Sequence, residues 1–213
     1  MDNVFSLVQK ALVAMTWLEV LAVLTSVAYL VLAARENIWC WFFAMVSVVC
    51  YTIMLFDANL YAETALQGYY GFMAVYGFYQ WRNSSSEDSA LDQPKEENAP
   101  ILTMSLKLHW IVLISILVGT ALTGYLLSAY TDASIPYLDA FTSVGALFTT
   151  WLVTKKYIEN WLYWIVVDGA GVYLYFTKEF YLTALLFVAY VIIVIFGFFN
   201  WKQKLNSPVN TAE

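Results

Sequence analysis

Asp168 is the residue whose presence most needs explaining, because it lies inside the apolar, aromatic stretch "IENWLYWIVVDGAGVYLYF", Ile158 to Phe176. Ten residues of helix beyond Ile158 place it about 15 Å into a segment that must cross about 30 Å of hydrocarbon. A carboxylate at that depth costs about 2.5–3.5 kcal/mol on insertion scales, so it belongs in a bundle interior or a water-filled cavity. Trp161, Trp164, Asp168 and Tyr175 recur at i, i+3, i+7 and i+14 and share one helix face. Aromatic faces stack on flat heterocycles and attract cations through the ring quadrupole. A carboxylate at the same depth favours a positive ring or accepts hydrogen bonds from sugar hydroxyls. The stripe suits a flat aromatic, able to be cationic, with a polar appendage. Asn160, near the mouth of the segment, adds an amide that both donates and accepts.

A second apolar stretch, "QGYYGFMAVYGFYQW", offers a facing counterpart. Gln67 lies about two turns inside the membrane with Tyr70 one turn further on the same face, and a buried amide needs a partner. Tyr76 points away from Gln67 by helical angle and fits packing as readily as ligand contact. Structural readings stand beside the chemical ones. Tryptophans near span ends anchor helices at the interface, which covers Trp161 better than the deeper Trp164. Asp168 admits a structural hydrogen bond to a neighbouring helix, and Gly169 and Gly171 admit close helix packing. His109, the only histidine, has no clustered partner and receives no role.

Elements that position these residues must span a bilayer. The chain has 213 residues, 62% hydrophobic, 18% aromatic and 12% charged, far from the composition of a soluble domain. Seven spans are expected, near 18–34, 38–56, 60–81, 107–127, 137–154, 158–176 and 180–200. Residues 1–17 lack a basic start and a cleavage site and read as an interfacial amphipathic helix. The linker within 83–106 carries five acids, one lysine and two prolines in "NSSSEDSALDQPKEENAP" and reads as a mobile loop. Residues 203–213 form a tail. Cys40 and Cys50, ten residues apart in one span, cannot pair with each other. Lys10 and Lys178 fall on one side, and Arg35, Arg82, Lys95, Lys107, Lys155, Lys156, Lys202 and Lys204 on the other. Two against eight puts the N-terminus outside and the C-terminus and acidic linker inside.

Sliding the chain by 120 residues matches its halves without a gap. Trp41 falls on Trp161, Gly77 on Gly197, Trp81 on Trp201, Glu19 on Asp139 and Arg35 on Lys155. Identity is only roughly one position in seven, but spans, turns, aromatic ends and basic ends stay in register over more than about sixty residues. Val48 stands opposite Asp168, so the first unit folds without the acid. Three spans invert the chain direction, and the span at 107–127 restores it. The expected fold is an all-α membrane protein of seven helices, 3+1+3, with parallel repeats at 18–82 and 137–202. Carriers commonly bind substrate near the midplane at such a repeat interface.

"ENIWCW", "LQGYYGFMAVYGFYQW" and above all "KKYIENWLYWIVVDGAGVYLY" resemble the bacterial nicotinamide riboside transporters, the PnuC family. The resemblance covers about residues 19–82 and 139–202, and its Trp-x-x-Trp followed by Asp is the most specific part. It implies a plan related to the sugar-carrying SWEET proteins, a homotrimer, and a bacterial inner membrane. It implies facilitated diffusion, with the riboside trapped by a cytoplasmic nicotinamide riboside kinase. Trp161, Trp164, Asp168, Asn160, Gln67, Tyr70, Tyr76 and Tyr175 would then line the substrate site. "DGAGVY" departs from the bulkier apolar residues expected after the acid, which keeps thiamine open as an alternative cargo.

An enzyme is not expected: there is no His-Glu-x-x-His and no Gly-x-Ser-x-Gly, and a single histidine serves metal or base chemistry poorly. No cofactor and no nucleic-acid partner are expected. A retinal-type receptor would need a lysine inside its last helix, and Lys178 and Lys202 only flank that span. Asp168 is the sole charge placed mid-membrane, so no relay for ions or protons is apparent.

Overall fold

The computed structural model describes residues 4–57, 61–87 and 100–206. Among the described residues it contains eight helices and no strand: α1 (Val4–Ala14), α2 (Trp17–Ala34), α3 (Cys40–Asp57), α4 (Tyr61–Glu87), α5 (Leu106–Tyr130), α6 (Pro136–Thr154), α7 (Asn160–Thr177) and α8 (Tyr181–Asn206). Residues 88–99 of the acidic linker and 207–213 of the tail lie outside the described residues. The chain is an all-helical membrane protein. By length and composition α2, α3, α5 and α8 are each apolar enough to cross a bilayer. The other helices of 18 residues or more, α4, α6 and α7, fall short of that measure although seven spans were expected. Their residues explain why: Gln67 in α4, the Thr and Ser of α6, and Asn160 and Asp168 in α7 dilute hydropathy where helices face one another rather than lipid.

Several boundaries differ from expectation. The N-terminal helix ends at Ala14, because Thr16 begins α2 with a capping box. The Glu19 N–H donates to Thr16 Oγ1 at 3.2 Å, and the Thr16 N–H donates to the Glu19 carboxylate at 2.5 Å. Both α4 and α8 outrun their apolar stretches, to Glu87 and Asn206. The end of the acidic linker is ordered: the Leu102 N–H donates to the Lys156 carbonyl at 3.0 Å, and the Ile158 N–H to the Leu102 carbonyl at 2.9 Å. The Glu159 carboxylate accepts from the Met104 N–H at 3.0 Å, which fixes the entry to α5 onto the α6–α7 turn.

Helices α2, α3 and α4 pack in succession, as do α6, α7 and α8, while α5 packs on α6. The two sets meet through α2 with α8 and α4 with α6. Shifting α2 and α8 by 120 residues in opposite senses turns one contact into the other.

The ends of α2 and α6 are built alike. At α2 the Asn37 N–H donates to Leu32 O and the Glu36 N–H to Ala33 O; at α6 the Tyr157 N–H donates to Leu152 O and the Lys156 N–H to Val153 O. This is the Schellman pattern, whose left-handed position glycine usually fills. Here Glu36 (φ 57°) and Lys156 (φ 55°) occupy it, 120 residues apart. Glu179 (φ 63°) takes the same position at the end of α7, so three of these helix ends accept the roughly 1–2 kcal/mol cost of a left-handed non-glycine residue.

Below these turns lies a core of four tryptophans. Trp41 meets Trp81 edge-on at 5.3 Å and Trp161 meets Trp201 edge-on at 5.2 Å, while Trp81 and Trp201 are tilted at 6.0 Å. Gly77 and Gly197 make room for them, since a Cβ at either would collide with Trp41 or Trp161. The Trp81 indole N–H donates to Val153 O at 3.2 Å and that of Trp201 to Ala33 O at 3.1 Å. Each crosses from one three-helix set to the other.

Candidate functional site

A cavity of about 1230 Å³ lies between the two three-helix sets. One end reaches the α1–α2 junction at Met15 and the α7–α8 turn at Glu179 and Phe180, where Phe180 is exposed. The other end stops at Tyr29, Trp41 and Trp164, against the tryptophan core.

Asp168 lines this cavity and is 4% exposed. Helix α7 presents it there because Trp164 and Tyr175 lie on the same face, one turn before and two turns after, and line the cavity too. From α4, Gln67 and Tyr70 complete the opposite wall. Five of the eight residues singled out from sequence are therefore brought together. Trp161, Asn160 and Tyr76 stand apart. Trp161 is 1% exposed and packs in the tryptophan core. Asn160 is buried at the start of α7, where its Nδ2 donates to Tyr157 O at 2.6 Å. Tyr76 stacks on Phe72 and lies 5.0 Å beneath the Lys155 ammonium. Helical periodicity put Trp161 on the stripe correctly, but α8 covers the stripe at that level.

The two glycines after the acid differ. A Cβ at Gly169 would meet nothing, whereas one at Gly171 would strike the Phe187 ring, so Gly171 lets α8 approach. Phe187 in turn packs on Tyr175 at 5.0 Å and on Tyr190 at 5.6 Å along the cavity wall.

Several lining residues escaped the sequence reading: Ser26, Tyr29, Trp41, Tyr51 and Tyr190. The 120-residue correspondence could have found two of them, since Trp41 matches Trp161 and Tyr190 matches Tyr70. No sequence signal marked Ser26 or Tyr51. Ser26 Oγ donates to Val23 O at 2.8 Å and lies 2.7 Å from the Tyr190 hydroxyl. With its proton committed, Ser26 accepts from Tyr190, and the Tyr190 oxygen keeps a lone pair for a donor in the cavity.

Electrostatically the lining is one-sided. Asp168 contributes a buried carboxylate and Glu19 and Glu179 two more at the mouth, and among the described residues no Lys, Arg or His lines the cavity. In a low-dielectric enclosure that arrangement attracts a cation and opposes a phosphate. Indole and phenol faces beside the deepest acid add a surface for a flat positive ring. Among the described residues no cluster of side chains could hold a metal ion.

The nicotinamide mononucleotide transporter family model matches residues 16–203. The nicotinamide riboside transporter PnuC of Escherichia coli K12 is 22% identical over 209 residues, covering 88% of this chain and 85% of that protein. The riboflavin/roseoflavin transporter RibM of Streptomyces davaonensis is 24% identical over 189 residues, covering 87% and 84%. A crystal structure of the vitamin B3 transporter PnuC superposes with a TM-score of 0.68 at 22% identity, covering 95% of this chain and 88% of that one.

Proposed function

This chain belongs to the nicotinamide mononucleotide transporter family, a family of membrane carriers and not enzymes, and from that membership and its cavity we propose that it takes up nicotinamide riboside. The observation that carries the choice of cargo is Asp168 near Trp164 in a cavity that no basic residue lines among the described residues. Nicotinamide riboside offers a cationic ring for the indole and the acid, and ribose hydroxyls for Gln67, Tyr70 and the Tyr190 oxygen.

The seven-span, 3+1+3 plan with parallel repeats is supported by the 120-residue correspondence and by the paired contacts of α2 with α8 and α4 with α6. Seven described cationic residues on the side of the α2–α3 and α6–α7 turns, against two on the other, support placing that side in the cytoplasm of a bacterial inner membrane. The cavity then opens outward. Transport is downhill, by alternation of the two units around the site, with a cytoplasmic kinase trapping the riboside. The chain works as a homotrimer, with α1 at the membrane interface. Thiamine is the alternative cargo, because it too is a flat cation with a hydroxyl.

Titration calorimetry of the detergent-purified protein with the riboside and, separately, with thiamine tests the assignment. The riboside binds and thiamine does not. Thiamine alone binding would change the cargo while keeping the carrier, and silence from both on folded protein would overturn the substrate class.

A further inference from the structure

Between the inner end of the cavity and the surface at the α2–α3 and α6–α7 turns stands a layer of groups that no substrate contact explains. The Lys156 ammonium donates to Glu36 Oε2 at 3.0 Å, with side chains 1% and 6% exposed. Lys204 of α8 reaches the other oxygen of Glu36 at 2.9 Å. The Lys156 ammonium also lies 4.7 Å over the Trp81 ring. Burial pulls Lys156 below the usual lysine range, and the Glu36 carboxylate pulls it back.

The geometry of this layer is that of a joint between two moving parts. Glu36 and Lys156 are 120 residues apart, sit at the same left-handed position of equivalent helix ends, and meet each other. The indole bonds Trp81 to Val153 and Trp201 to Ala33 are likewise exchanged by the same shift. Each of these contacts joins α2–α4 to α6–α8; none joins residues within one set. A buried ion pair stabilises a fold poorly relative to apolar packing, and in some proteins what it supplies is the choice of one arrangement over another.

We propose that Glu36 and Lys156, backed by Trp81 and Trp201, are the gate residues of translocation, holding the cavity shut on the side of these two turns until the three-helix sets part. Release of cargo through that side requires the ion pair and both indole bonds to separate. The proposal rests on the carrier reading but not on the identity of the cargo.

Cys40, fully buried at the start of α3 within the same core, is a native reporter. In sealed vesicles of the Cys50→Ser protein, a membrane-impermeant maleimide applied from the side of the two turns reads how often the gate opens. Glu36→Gln and Lys156→Gln, which keep size and hydrogen bonding, raise the labelling rate by on the order of ten-fold or more over the parent. Unchanged labelling in both variants, with thermal unfolding showing them folded, overturns the proposal. A second arm places Glu36→Cys and Lys156→Cys together in a Cys40→Ser, Cys50→Ser protein and bridges them with a reducible bifunctional thiosulfonate. Bridging stops transport and leaves outside-facing binding intact, and reduction restores transport. Transport by the bridged protein at the reduced rate overturns the gate assignment. Absence of any cargo binding bears on the substrate instead, while the labelling arm still decides the gate.

Discussion

At Asp168 a carboxylate is kept at membrane depth in a cavity where, among the described residues, no basic side chain lines the wall to offset its charge. Asp168→Asn keeps the shape and removes the charge, and it lowers affinity for a cationic riboside about ten- to hundred-fold, or ~1.4–2.8 kcal/mol, in calorimetry. Equal affinity would make the acid structural. The two tryptophans of the stripe separate by readout. Trp164→Ala lowers affinity about ten-fold and costs less stability than Trp161→Ala, since Trp164 packs on the tryptophan core but also lines the cavity. Trp161→Ala costs ~3–5 kcal/mol of stability, since the ring is enclosed by Trp201 and Gly197. A single helical face was legible in the sequence at these residues. Which turn of it opens into the cavity was not, because that depends on how closely α8 approaches.

For the helices, the glycines decide approach. Gly197→Ala forces Cβ to 2.7 Å from the Trp161 ring and lowers the unfolding temperature, while Gly169→Ala enters open space within α7 and leaves it the same or slightly higher. Measured melting curves of the two variants check this directly. The helix periodicity and the register between halves were both visible in the sequence, and Gln67, Tyr70 and Asp168, which it singled out, line one cavity. The ordered segment at 100–104 was not visible. Its hydrogen bonds go to the α6–α7 turn and to Glu159, partners more than fifty residues away that no local pattern announces. Nor was the Glu36–Lys156 pair read, although both residues stand at the same offset that aligned Arg35 with Lys155. Opposite charges at equivalent positions look like a mismatch in a repeat and become a contact only when the two units face each other.

Across the whole molecule, downhill transport is proposed from a cavity in which, among the described residues, Asp168 is the one deep acid and no basic residue lines the wall. Uptake of labelled riboside into vesicles reaches equal concentrations on both sides and is unaffected by ionophores; accumulation above the outside concentration would contradict downhill transport. The same charge distribution governs selectivity. Asp168 lies deep in the cavity and Glu19 and Glu179 stand at its mouth, with no Lys, Arg or His among the described lining residues, so a cationic ring gains and a phosphate loses from the same field. The most direct test is to measure by calorimetry, on one preparation, the binding of nicotinamide riboside, its neutral reduced form and its 5′-phosphate. The account predicts binding of the cation at least about ten-fold tighter than of either other form. Equal or tighter binding of the phosphate would contradict it.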